Sequence, residues 1–155
     1  MQLSARKRGA WDHVAIAATL RSGAIASVFC RGGTSRGDNL RWEINGSEGD
    51  LVLTSPIGNL QVVAPTLHGG RGNDTSVRPL AIPAGHDLAP SAPDGPAANV
   101  ARLYAAFAKQ LAEHKGETFA PDFAHAERLH GWLSAITLAA ASGQVQRYDD
   151  QGASL

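Results

Sequence analysis

The chain predicts an α+β fold: an open, mainly antiparallel sheet of five to six strands with two C-terminal helices packed on one face. Three observations carry this expectation. The first half of the 155 residues shows period-2 apolar patterning broken by short turns. The second half shows apolar residues spaced three and four apart. The two halves follow one another instead of alternating, and the short turns leave no room for parallel crossovers.

The strands come first. Trp11 to Leu20 alternates, with Val14, Ile16, Ala18 and Leu20 on one face. Arg21-Ser22-Gly23 turns the chain, and Ala24 to Arg31 returns as a second strand. The polar stretch Gly32 to Asn39 leads into a hairpin. Leu40, Trp42 and Ile44 alternate with Arg41, Glu43 and Asn45. Asn45-Gly46 tolerates positive φ and reverses the chain, Gly49-Asp50 closes the loop, and Leu51 to Leu53 resumes an apolar strand. Pro56 and Gly58 mark another turn. Leu60 to Ala64 reads as a fifth strand and Pro65 to Ser76 as a Gly-rich loop. Val77 to Ile82 is a short sixth strand, placed at an edge because Pro79 cannot donate to a ladder.

His86 to Ala98 carries three prolines and reads as an internal linker between sheet and helices. In the first helix Val100, Leu103, Tyr104, Phe107 and Leu111 form one apolar stripe, and Lys115-Gly116 ends it. The second helix starts near Pro121-Asp122 and stops at Gly143, with Phe123, Ala126, Leu129, Leu133, Ile136 and Ala140 as its stripe. Gly131 inside it costs about 1 kcal/mol relative to alanine, which a close helix-on-sheet approach would explain. Two helices cover one sheet face only. Ala15, Ala17, Thr19, Ala24, Ala26 and Val28 are small and uncharged, so the uncovered face predicts an interface.

With 43% hydrophobic and 18% charged residues, the chain has the composition of one globular domain, residues 1–155, able to bury a core without staples. Lys plus Arg equals Asp plus Glu, 14 each, so nothing draws it to nucleic acid or to an anionic membrane. Zero net charge also removes one guard against self-association. The single Cys30 lies in an apolar run and is expected to pack as a small hydrophobe. With no intramolecular disulfide possible and no signal-peptide h-region after the basic first residues, the expected compartment is the cytoplasm.

The segment Gly46-Ser47-Glu48-Gly49-Asp50-Leu51 resembles the "I-x-G-(T/S)-E-G-x-L" hairpin in the C-terminal domain of the Gfo/Idh/MocA oxidoreductases, most closely the branch of the yeast galactose-regulon repressor. Asp12-His13-Val14-Ala15 with Ser22-Gly23-Ala24 is similar to that domain's first hairpin. Asn99 to Tyr104 resembles its penultimate helix, and Pro121 to Gly143 its final one. The four blocks stand in family order at about family spacing.

Full-length members of that family join a Rossmann domain, which binds NAD or NADP, to a second domain that lines the substrate cleft and makes the dimer. The resemblance therefore implies a substrate-cleft and oligomerisation domain of a sugar or polyol oxidoreductase. It implies self-association through the open sheet face and a possible separate Rossmann-domain chain as partner. The residues carry no recognisable chemistry of their own. Gly70-Arg71-Gly72-Asn73-Asp74-Thr75 lacks the third glycine of a dinucleotide fingerprint and leads to Pro79 instead of a helix. The family's Glu-Lys-Pro and Asp-x-x-x-His segments are not found. No cofactor is expected on this chain alone, and no catalytic residue is assigned. The repressor branch implies an alternative, a ligand-sensing regulatory module.

Other constellations give less. His125 and His130, five apart on a helix, point about 140° from each other and cannot share a metal. No G-x-S-x-G elbow accompanies the Ser, His and Asp residues. Two loops combine glycine, which lets backbone approach a ligand, with arginine, which binds carboxylate or phosphate bidentately. Their candidate substrate or interface residues are Arg31, Thr34 and Arg36 in one, and His68 and Arg71 in the other.

Overall fold

The computed structural model describes residues 11–93, 95–113 and 120–148. These described residues form two compact bodies, one drawn from residues 11–33 and 127–148 and the other from the described residues between 34 and 126.

In the first body, β1 (His13–Thr19) and β2 (Ile25–Arg31) form a two-stranded antiparallel ladder, with His13 opposite Arg31 and Thr19 opposite Ile25. Gly23 makes the turn possible at φ 88°, a region closed to most side chains. Its amide donates to the Leu20 carbonyl at 2.9 Å, and the Leu20 amide donates to Ala24 at 2.8 Å. Alternation puts Val14, Ile16 and Ala26 on a half-buried face. The opposite face carries Ala15, Ala17 and Thr19 with Ile25 and Phe29, and Phe29 is 68% exposed. The open face is therefore not the all-small surface the sequence suggested. Ala26 and Val28 pair with Ala18 and Ile16 and point the other way. Cys30, expected in a core, is exposed near the end of β2, where a lone ladder gives it no cover.

Most of helix α2 (Phe123–Ser142) belongs to the same body. The Asp122 carboxylate accepts the His125 amide at 2.7 Å, an N-cap that satisfies one of the helix's free donors. Gly143, at φ 67°, ends the helix by donating to the Ala139 carbonyl. Most of its large apolar residues face outward: Leu129 and Leu133 are exposed, and Phe123 is 95% so. The partly covered positions are Gly131, Ala135, Ile136 and Ala139.

The second body holds β3 (Leu40–Asn45), β4 (Gly49–Ser55), β5 (Thr66–Arg71) and β6 (Arg78–Pro79) in one four-stranded antiparallel sheet, in that order. The expected single sheet of five to six strands is thus two sheets among the described residues. β3 pairs with β4 and not with β2, because the preceding loop closes on itself. The Asn39 side chain accepts the Ser35 amide at 2.6 Å and donates to the carbonyls of Ser35, Gly37 and Pro56.

The expected fifth strand at Leu60 to Ala64 is a turn. Asn59 captures it: its side chain accepts the Gln61 amide, and its carbonyl accepts Val62. The strand lies instead in the stretch read as a Gly-rich loop, at Thr66–Arg71. Gly69 is needed there. A Cβ would stand 2.5 Å from Leu80 Cδ1, 3.0 Å from Leu51 Cδ2 and 3.2 Å from the Asp50 carbonyl. β6 is an edge strand, as Pro79 requires. The β3–β4 turn also differs from expectation. Gly46 does not take positive φ; its amide donates to the Gly49 carbonyl, and Asn45 Nδ2 donates to Asp50 Oδ1 at 2.9 Å.

A short 3-10 turn, Ala84–His86, precedes helix α1 (Pro96–Glu113). α1 begins inside the Pro-rich segment, with Pro96 at a first-turn position that needs no amide donor. Its expected C-terminal signal at Lys115-Gly116 lies outside the described residues. Asn99 donates to the Leu60 carbonyl at 3.4 Å, and Arg102 meets Asp87 at 3.0 Å. These polar ties hold α1 to connecting segments. Its covered positions are Ala98, Asn99, Ala101, Arg102, Ala105, Ala106 and Gln110. The stripe expected to face the core is turned outward, and Tyr104 is 70% exposed.

Candidate functional site

The β3–β6 sheet has two unlike faces. On one, Leu40, Trp42 and Ile44 align across the ladder with Leu51 and Leu53 of β4, then with Leu67 and Gly69 of β5. Leu80 leans over Gly69 and completes an apolar surface. Trp42 is 60% and Ile44 51% exposed, and Leu51 and Leu80 are also open. The other face carries Arg41, Glu43, Asn45, Asp50, Thr54, Thr66 and His68 around Val52, which is buried. An ordinary half-buried sheet puts its apolar face inside. Here Trp42, Ile44, Leu51 and Leu80 leave part of that face open, while Leu40, Leu53 and Leu67 are half-buried.

At the hairpin end of the same sheet lies a cleft of about 350 Å³ between the β3–β4 and β5–β6 turns. Glu48, Asp50, Arg71 and Asp74 bring charge to it, and Ser47 and Thr75 bring hydroxyls. Two of the carboxylates are used in holding the turns. Asp74 Oδ2 accepts the Arg71 amide at 3.0 Å, and Asp50 accepts Asn45. The cleft offers polar recognition but no nucleophile paired with a base. Among the described residues no group of three or more His, Cys, Asp or Glu side chains is placed to hold a metal. Gly70 to Thr75, which lacks a full dinucleotide fingerprint, comprises the last two residues of β5 and the start of the turn toward β6, with Gly72 at φ 60°.

The candidate residues from sequence fall in different places. Arg31 ends β2, opposite His13, in the first body. Thr34 and Arg36 sit in the Asn39-closed loop, at the sheet end defined by Leu40 and Ser55. Arg71 lies at the opposite end, beside Gly49, and lines the cleft. Five residue steps of about 3.3 Å separate those two ends by roughly 17 Å. His68 sits mid-strand on the polar face, between Val52 and Pro79. Each loop therefore stands as its own site.

Sequence reasoning missed two organising residues. Asn39, with four side-chain bonds, fixes the Thr34–Arg36 loop; an Asn just before an alternating strand was the available signal. Asp87 was hidden in the Pro-rich tract. The Arg102 guanidinium bonded to it, and secondarily the Ala89 amide, hold its carboxyl below the usual carboxylate range.

Residues 3–55, the N-terminal third of the chain, match the family model described as Gal80p, C-terminal domain, a C-terminal domain of the Gfo/Idh/MocA-like family. The matched stretch contains the β1–β2 ladder, the Asn39 loop and the whole β3–β4 hairpin. Arg31, Thr34 and Arg36 lie within it; His68, Arg71 and both helices lie beyond it. No curated protein and no solved structure matches the chain. No helix of the described residues is long and apolar enough to cross a membrane.

Proposed function

We propose, from the Gal80p C-terminal-domain family match of residues 3–55, that this chain serves as the association and cleft-forming domain of a Gfo/Idh/MocA-like NAD(P)-dependent sugar or polyol oxidoreductase. On this reading it associates with copies of itself through the open sheet and lends a cleft wall to a separate nucleotide-binding chain. It performs no hydride transfer alone, because that chemistry needs a cofactor site with a proton-transfer group beside it. The observation that carries the reading is the apolar β3–β6 face, where Trp42 and Ile44 stand open on the edge strand β3. Light scattering on the purified chain tests it. A species larger than a monomer is expected, with a lower mass for Trp42→Glu. Equal masses for both proteins would contradict it. Titration with NADH and NADPH tests the inertness, and micromolar binding of either would end that part of the reading.

A second reading is a ligand-sensing regulatory module, favoured by the match falling on the Gal80p model in particular. A pull-down separates the two. A dehydrogenase domain among the captured proteins supports the first reading, and a transcription factor supports the second.

A further inference from the structure

The outward stripe of α1 is more regular than a chance apolar surface. Val100, Tyr104, Phe107 and Leu111 follow one another at steps of four, three and four residues. That is the spacing of a helix-pairing seam, in which each side chain fits between residues of a facing helix. All four are exposed, as is Leu103 beside them. The seam itself carries no charge. Lys109 and Glu113 flank it and are paired with each other at 3.9 Å, one turn apart.

We propose that α1 packs antiparallel against α1 of a second copy of this chain. A two-fold axis between residues 105 and 106 makes the seam complementary to itself. Val100 then faces Leu111, Tyr104 faces Phe107 as an aromatic pair, and Leu103 faces the small Ala108. Such an isologous contact closes on itself as a dimer. The five side chains expose roughly 500 Å² per protomer, so pairing removes roughly 1,000 Å² in all, the lower bound for a specific interface. This contact is independent of the sheet face, since it uses a different element.

The test uses the full chain. Trp42→Glu disables the sheet contact and is expected to leave a dimer. Adding Tyr104→Glu is expected to give a monomer with unchanged helicity by circular dichroism, because Tyr104 is an outward-facing side chain. A monomeric Trp42→Glu protein at its highest soluble concentration would overturn the proposal, and so would a mass that Tyr104→Glu does not lower. Cross-linking gives a second readout that leaves most of the seam intact. In a Cys30→Ala background, Val100→Cys and Leu111→Cys chains are mixed and oxidised. Mixed pairs are expected to outnumber pairs of like chains, and a predominance of like pairs would rule out the antiparallel contact. Failure of the sheet reading shows separately, as equal masses for wild type and Trp42→Glu.

Discussion

The ring of Tyr148 lies on the backbone of Gly131. A Cβ at position 131 would stand 2.7 Å from the tyrosine Oη and 2.8 Å from Cζ. The neighbouring Trp132 meets the same ring edge-on, at 6.4 Å and 87°. The glycine inside α2 thus makes room for the segment that follows the helix, and not for a sheet. Gly131→Ala would ordinarily stabilise a helix by about 1 kcal/mol. Here the new methyl displaces Tyr148. Urea denaturation is expected to show no gain in the wild-type background and a gain of about 1 kcal/mol in Tyr148→Ala.

Asn39 is the loop's main tie. Its side chain bonds Ser35 and Gly37 within the loop and reaches Pro56 across the end of the sheet at 2.7 Å. Asn39→Ala removes all four bonds at a part-buried position. A loss of about 1–3 kcal/mol is expected in chemical denaturation, several modest hydrogen bonds together. Amide exchange at Ser35 should rise in the same variant, since its donor loses its acceptor.

Gly69 permits β5 to sit beneath Leu80 and Leu51. Gly69→Ala puts a methyl against two leucine ends and one backbone carbonyl, and only the leucines can yield. Destabilisation of about 1–3 kcal/mol is expected, the usual cost of overpacking. Gly69→Ala/Leu80→Ala should recover part of that relative to Leu80→Ala alone, because the closest obstacle is gone.

Asp87 carries a pH dependence with a definite sign. Its carboxyl is held below its ordinary value of 3.8 chiefly by Arg102. Stability from this contact is present above the unfolded value and is lost as pH falls through the lower, folded one. Carboxyl NMR titration of Arg102→Ala is expected to show Asp87 moving back toward 3.8. An unmoved Asp87 would mean the Ala89 amide is the main cause.

The strands that alternate cleanly were legible in the sequence. β1, β2, β3 and β4 were found near their observed bounds because period-2 patterning and Gly23 or Asn45-Gly46 mark both sides and turn. β5 was not legible. Its glycines suggest a loop, and only the three-dimensional neighbour Leu80 explains why a strand needs Gly69 there. Helix α2 lies where the sequence puts it, with Asp122 and Gly143 as readable ends, whereas α1 begins at Pro96, inside the stretch expected to be a linker. Their orientation was misjudged. Apolar spacing tells which residues share a face, but not whether that face meets the chain's own core or another molecule. The same gap limits the sites: Arg71 could be named from its glycine neighbours, whereas the cleft around it arises from pairing Gly49 with Arg71 across two strands.

The proposed function places a contact between chains on the apolar side of the β3–β6 sheet. Light scattering of wild type and Trp42→Glu, at matched concentrations and with secondary structure checked, tests it most directly. The expected result is a multimer whose mass Trp42→Glu lowers. A wild-type chain that stays monomeric as concentration rises, or a Trp42→Glu protein of undiminished mass, would contradict it.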